Sequence, residues 1–146
     1  MLRKIAILAI GVAVLMIAGC RTGEYKADLE IYERMPSILA ADPELQGKLM
    51  LNDDGTPKVE FEKGEMFLYL ALGLDEGTRK EAVSRAFELF HQQYMESETN
   101  RRKDGTFYRK VIHIRGFVED TELYVIEWDL SEENPNLISD RYGYFI

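Results

Sequence analysis

The pattern of apolar and polar positions divides the chain into two unlike parts. Arg3 and Lys4 precede an unbroken apolar run over residues 5–18, with no charged or hydrogen-bonding side chain before Gly19 and Cys20. As a helix, at ~1.5 Å per residue, this run spans about 21 Å against a hydrocarbon core of ~30 Å. It therefore suits the apolar region of a secretory signal better than a permanent membrane span. Beyond it the pattern becomes amphipathic and changes period several times.

Residues 25–34 carry a weak helical pattern through Leu29, Ile31 and Tyr32, which Pro36 is expected to interrupt, with residues 37–41 adding a short helical piece. Asp42-Pro43-Glu44-Leu45-Gln46-Gly47 combines a capping residue, a proline suited to a first helical position and a closing glycine, and predicts one short turn. Residues 48–51 and 58–62 flank the turn formers Asn52-Asp53-Asp54-Gly55-Thr56-Pro57. This predicts a hairpin, with Val59 and Phe61 on one face and Lys58, Glu60 and Glu62 on the other. Residues 66–72 are apolar on every side between Gly64 and Gly73; their Leu, Met and Ala content favours helix, although their length suits a strand.

Thr78-Arg79-Lys80-Glu81 has the form of a capping box, and Val83, Ala86, Phe87, Phe90 and Tyr94 then recur at three-to-four spacing. This is the strongest helix in the chain, with Glu81 and Arg85 one turn apart on its wet side. A basic, turn-prone loop at 100–105 follows. Residues 107–118 predict a strand, Asp120 a turn, and 122–130 a return strand with Tyr124, Ile126, Trp128 and Leu130 on one face. Asn134-Pro135-Asn136 breaks structure in 131–139, and 141–146 predicts a last strand through Tyr142, Tyr144 and Ile146. The expected fold class is α+β: an antiparallel sheet, made of a C-terminal meander plus an N-terminal hairpin, packed against at least one amphipathic helix. No internal repeat is evident.

The end of the apolar run is more specific than its length. Ile17-Ala18-Gly19-Cys20 resembles the lipobox of bacterial lipoproteins, in which an aliphatic residue and two small residues precede a cysteine. The resemblance covers about the first twenty residues. It implies cleavage between Gly19 and Cys20, lipidation of the Cys20 thiol, and acylation of the freed amine. Two or three acyl chains, at ~0.8 kcal/mol per buried CH₂, hold a protein on a bilayer where one would not. Arg21 stands where an aspartate would retain such a protein in the inner membrane, so the resemblance implies the periplasmic face of the outer membrane in a double-membrane host. In a single-membrane host it implies the outer face of the plasma membrane. The expected organisation is a cleaved signal at 1–19, a lipidated cysteine and tether at 20–30, and one domain at 31–146.

Composition then narrows the chemistry. The whole chain of 146 residues has a net charge of −8; without residues 1–19, which hold two basic and no acidic residues, 127 residues carry −10. Nucleic acid is not an expected partner. The sixteen aromatic residues all lie beyond residue 19, enough for a core without disulfides, which one cysteine cannot form within a chain. His91 and His113 have no partners at metal-ligand spacing, Ser84, Ser97, Ser131 and Ser139 lack a nucleophile-elbow pattern, and no glycine-rich phosphate loop is present. No cofactor and no metal are expected. Asn52-Asp53-Asp54-Gly55 lacks the alternating ligands and closing Glu of a calcium loop.

One local inversion of charge stands out. Arg101, Arg102, Lys103, Arg109, Lys110 and Arg115 gather six of the sixteen basic residues beyond residue 19 into fifteen positions. They are either a solvated face paired with Glu119, Glu122, Glu127 or Asp129, or a docking patch for lipid headgroups, peptidoglycan carboxylates or an acidic partner. The functional expectation is a nonenzymatic envelope accessory or scaffold that binds another envelope protein and is held to the membrane by acyl chains on Cys20. The alternative is an immunity or inhibitor lipoprotein whose acidic surface captures a basic toxin or cell-wall hydrolase. A carboxylate-based envelope hydrolase has the fewest residues behind it.

Overall fold

The computed structural model describes residues 24–130 and the backbone of residues 136–140. Two helices, α1 (Lys26–Ala41) and α2 (Glu76–Glu96), accompany five strands: β1 (Val59–Glu62), β2 (Glu65–Tyr69), β3 (Val111–Val118), β4 (Thr121–Asp129) and β5 (Asn136–Asp140). The strands form one sheet in the order β1-β2-β3-β4-β5. All neighbours are antiparallel except β2 and β3, which are parallel and joined through α2. The fold is α+β with a mostly antiparallel sheet, as the pattern predicts.

Both helices cover one face of that sheet. Strand alternation sends Met66, Leu68, Ile112, Ile114, Tyr124 and Ile126 inward, where they meet Ile31, Met35 and Leu39 of α1 and Val83, Ala86, Phe87, Phe90 and Tyr94 of α2. Tyr32 stacks on Phe61 at 4.9 Å and Phe87 on Trp128 at 4.5 Å, fixing each helix over its end of the sheet. Contacts of Asp28 with Tyr94, Arg34 with Gln93 and Asp42 with Arg85 run in opposite senses along the two helices, which are therefore antiparallel.

Several local expectations are overturned, each for an identifiable reason. Helix α1 is continuous through Pro36 and begins at Lys26, inside the segment expected as tether. A mid-helix proline costs ~3 kcal/mol, but Ile31, Met35 and Leu39 on the buried stripe each return about 1.5–3 kcal/mol. Residues 66–72 do not form a helix: Glu65–Tyr69 is strand β2, paired on both edges, with Met66 and Leu68 inward. Its other face is half-buried because Phe67 and Tyr69 pack on Phe117, so the run looks apolar on every side. The partner of β1 is β2, across the tight turn Lys63-Gly64 with φ of 50° and 77°, whereas residues 48–51 contribute the single bridges Leu49–Leu70 and Leu51–Pro57.

Helix α2 starts earlier than the capping box suggests, with Asp75 as N-cap accepting from the Thr78 N–H at 2.7 Å. Strand β3 starts at Val111, and residues 107–110 lie outside it apart from the bridge Arg101–Phe107. The last described strand is β5 at Asn136–Asp140, within the stretch expected as broken, because its backbone pairs with β4. The strand expected at 141–146 lies outside the described residues.

A local repeat missed in the sequence also emerges. Asn52–Thr56 and Arg102–Thr106 close with the same backbone bonds, 2.7 Å in each case, and in each the aspartate two residues before the threonine accepts from its N–H at 3.0 Å and its hydroxyl at 2.6 Å. Asp-Gly-Thr is the shared core. Each copy follows a helix and a 3₁₀ turn and precedes a hairpin.

Gly116 is required by close approach. It faces Tyr124 across the β3–β4 ladder, and a Cβ there would lie 2.9 Å from Tyr124 Cδ2 and 3.3 Å from Val83 Cγ2, both on buried residues. Gly116→Ala is expected to destabilise the chain by about 1–3 kcal/mol through overpacking, read as a lower urea midpoint at unchanged slope. A midpoint equal to the parent would show that α2 yields at Val83 without cost.

Candidate functional site

The chemistry-bearing residues concentrate where the N-terminus of α1, the C-terminus of α2 and the approach to β3 meet. Asp28, in the first turn of α1, is fully buried. Its carboxylate accepts from the Tyr94 hydroxyl at 2.6 Å, the Tyr25 N–H at 3.2 Å and the Arg109 Nε at 3.1 Å, and is also bonded by Arg109 Nη2. Arg109 is held in turn at its backbone by buried Asn100, whose Oδ1 accepts from the Arg109 N–H at 2.7 Å and whose Nδ2 donates to the Arg109 carbonyl at 3.3 Å.

The electrostatics follow from burial. Desolvation alone would lower the Arg109 pKa, but the hydrogen bonds and charge of Asp28 outweigh it and raise the value. Burial, with Tyr32 and Asp28 nearby, pushes the Tyr94 hydroxyl up, so it stays a neutral donor to the carboxylate. Burial likewise raises Tyr32, whose oxygen accepts from the Gly64 N–H. The carboxylate thus spends its lone pairs on donors of its own chain. This is the arrangement of an internal pin.

Around the pin lies an exposed aromatic and basic rim. Tyr25 is 41% exposed and Tyr108 43%, with ring centroids 6.1 Å apart. The Arg109 guanidinium lies 4.8 Å from the Tyr25 ring and that of Arg102 4.9 Å from Tyr108. Glu24, at the first described position, accepts from the Lys63 N–H at 3.0 Å and ties the chain entry to the β1–β2 turn.

The six basic residues singled out in the sequence do not form one patch. Arg109 turns inward to Asp28, and Arg115 lies on the outer sheet face between Glu65 at 2.6 Å and Glu122 at 3.2 Å. Arg101, Arg102, Lys103 and Lys110 are exposed. Arg101 donates to the Met95 carbonyl at 3.1 Å and covers the Phe107 ring. The part played by Tyr25 and Tyr108 was missed. Only the helical start at Lys26, which brings Tyr25 to the domain surface beside Tyr108, reveals it. Gly19, Cys20, Tyr142, Tyr144 and Ile146 lie outside the described residues.

Other candidate groups are dispersed. His113 meets Glu127 at 2.6 Å on the outer sheet face, while burial lowers the pKa of His91, which packs beside Phe87. An open groove of about 530 Å³ is lined by Glu44, Lys48, Lys80, Ser84, Arg85 and Glu88, without a histidine. Among the described residues no group of three or more His, Cys, Asp and Glu is placed to hold a metal ion, and no helix is long and apolar enough to cross a membrane. Comparison with family models, curated proteins and solved structures finds no match to this chain.

Two tests follow from these ion pairs. Asp28→Asn leaves Arg109 without its counter-charge and is expected to cost about 3–5 kcal/mol of unfolding free energy, whereas Asp28→Leu combined with Arg109→Met loses far less. Additive losses in that cycle would remove the coupling. The second test concerns Asp42, whose carboxyl is held below its ordinary value chiefly by hydrogen bonds from Arg85, at 2.8 and 3.2 Å. A folded value below the unfolded ~3.9 means that its contribution is complete at neutral pH and is lost as pH falls through the folded value. Urea midpoints measured from about pH 7 down to about pH 2 should fall more steeply for the parent than for Asp42→Asn. Parallel curves would refute the assignment.

Proposed function

We propose that this chain is a lipid-anchored envelope protein whose domain serves as a nonenzymatic accessory, binding another envelope protein close to the membrane that holds Cys20. The observation that carries the reading is the lipobox Ile17-Ala18-Gly19-Cys20 set four residues before Glu24, the first described residue, which is bonded into the domain. Four residue steps reach at most about 14 Å, so acyl chains on Cys20 keep the domain against its leaflet. Arg21 supports outer-membrane sorting in a double-membrane host. The saturated Asp28 carboxylate and the dispersed histidines support a binding role over a catalytic one.

A second reading has its own observation. The net charge of −10 beyond residue 19, with Glu44, Asp53, Asp54 and Glu88 exposed and Arg85 shared between Glu44 and Glu88, suits an inhibitor or immunity protein that captures a basic toxin or cell-wall hydrolase.

Growth with a radiolabelled fatty acid is expected to label the parent and not Cys20→Ser, and fractionation to move Cys20→Ser out of the lipidated membrane pool. Unlabelled parent protein would overturn the anchor. Cross-linking in cells then separates the two roles: an accessory recovers envelope-assembly proteins, whereas an inhibitor recovers one enzyme and titrates its activity.

A further inference from the structure

We infer that the rim formed by Tyr25, Leu29, Tyr108 and the turn Arg101-Arg102-Lys103 is a lipid-headgroup contact surface that orients the domain on the leaflet holding its anchor. The inference rests on the lipoprotein reading above and adds to it a defined face and a defined ligand chemistry, anionic phospholipid headgroups.

Three independent features point to this end of the molecule. The first is reach. Glu24 is fixed to Lys63 and Tyr25 packs beside Tyr108, so a tether of at most about 14 Å leaves this rim nearest the acyl chains. The C-terminal end of α1, sixteen residues on, lies about 24 Å further along the helix. The second is chemistry. Tyr25, Leu29 and Tyr108 are among the most exposed large apolar side chains, at 41, 47 and 43%, and Leu29 is one helical turn from Tyr25. Tyrosine suits the bilayer interface, where its ring sits among headgroups while its hydroxyl stays wet.

The third is charge. Arg101, Arg102 and Lys103 are three consecutive exposed cations; the acids nearest them in the chain are Asp104, whose carboxylate is engaged by Thr106, and the exposed Glu96 and Glu98. Near Tyr25 and Leu29 stand Arg109 over the Tyr25 ring, Glu24 at the Lys63 N–H, the balanced pair Lys26–Glu30 and the exposed Glu33 one turn beyond Leu29. Clustered Lys and Arg are attracted to anionic headgroups within about one Debye length. At the opposite end Glu44 is paired with Arg85, and Asp53 and Asp54 lie near Lys58, so among the described residues no run of three exposed cations like that at 101–103 is present there.

The test uses the full lipidated chain in phosphatidylethanolamine vesicles containing phosphatidylglycerol. Because the natural chain has one cysteine, consumed by acylation, a cysteine introduced as Lys103→Cys or as Asp53→Cys can each be labelled with a polarity-sensitive fluorophore. Headgroup-spin-labelled lipid should quench the probe at position 103 several-fold more than that at 53. The difference should shrink in phosphatidylcholine vesicles, in about 1 M salt, and on adding Arg102→Ser with Tyr108→Ser, exposed changes that leave the circular dichroism spectrum unaltered. Equal quenching at both positions in vesicle-bound protein, or a difference indifferent to lipid charge and to those substitutions, would overturn the surface and leave the anchor standing. Protein that carries no acyl chains and does not associate with vesicles would overturn the anchor and the surface together.

Discussion

The arrangement of this domain depends on one requirement: the Asp28 carboxylate, with no exposure to water, must keep its charge compensated. Removing an ion from water costs several kcal/mol, recovered only where opposite charge and directed hydrogen bonds converge. The convergence here draws on three elements, because Tyr94 comes from the end of α2, Arg109 from the approach to β3, and the Tyr25 N–H from the start of α1 itself. Asn100 then fixes Arg109 by its backbone, so the 3₁₀ turn after α2 is part of the same network. The antiparallel helix pair can slide or rotate only by uncoupling these groups.

The sheet accommodates that constraint through its two unlike faces. Its inner face is aliphatic and aromatic and takes both helices. Its outer face mixes Phe67, Tyr69 and Phe117 with the pairs Arg115–Glu65, Arg115–Glu122 and His113–Glu127. Aromatic rings under a lattice of paired charges give a face that is half-buried yet water-compatible. The parallel contact between β2 and β3 exists because α2 carries the chain back over the inner face, returning it to the same end of the sheet.

Local signals were legible where one principle acted alone. The three-to-four spacing from Val83 to Tyr94, the turn at Asn52–Thr56 and the alternation of Tyr124, Ile126 and Trp128 all read correctly from the sequence. Misreadings arose where tertiary structure competed with local preference. Pro36 sits in a helix because the stripe through Ile31, Met35 and Leu39 is buried on both sides of it, and β2 hides its period because aromatic packing half-covers its second face. The pin was illegible for a different reason: Asp28 and Arg109 are 81 positions apart, and nothing in either local sequence distinguishes a buried charge from a solvated one. The same pairing divides the basic cluster, which reads as one patch in sequence and becomes an internal arginine, a sheet-face arginine and a surface rim.

That division bears on how anchoring and recognition would share one small surface. The pin sits directly behind the rim of Tyr25 and Tyr108, so on the proposed lipoprotein reading the face nearest the anchor is backed by a buried ion pair. A rigid face at the end of a tether of about 14 Å restricts the orientations of everything attached to it. On that proposal the C-terminal end of α1 and the outer sheet face would be presented outward from the leaflet, and an anchor would already have met part of the ordering cost of binding there. The pin thereby ties the start of α1, the end of α2 and the approach to β3 into one unit and gives the domain a fixed front and back.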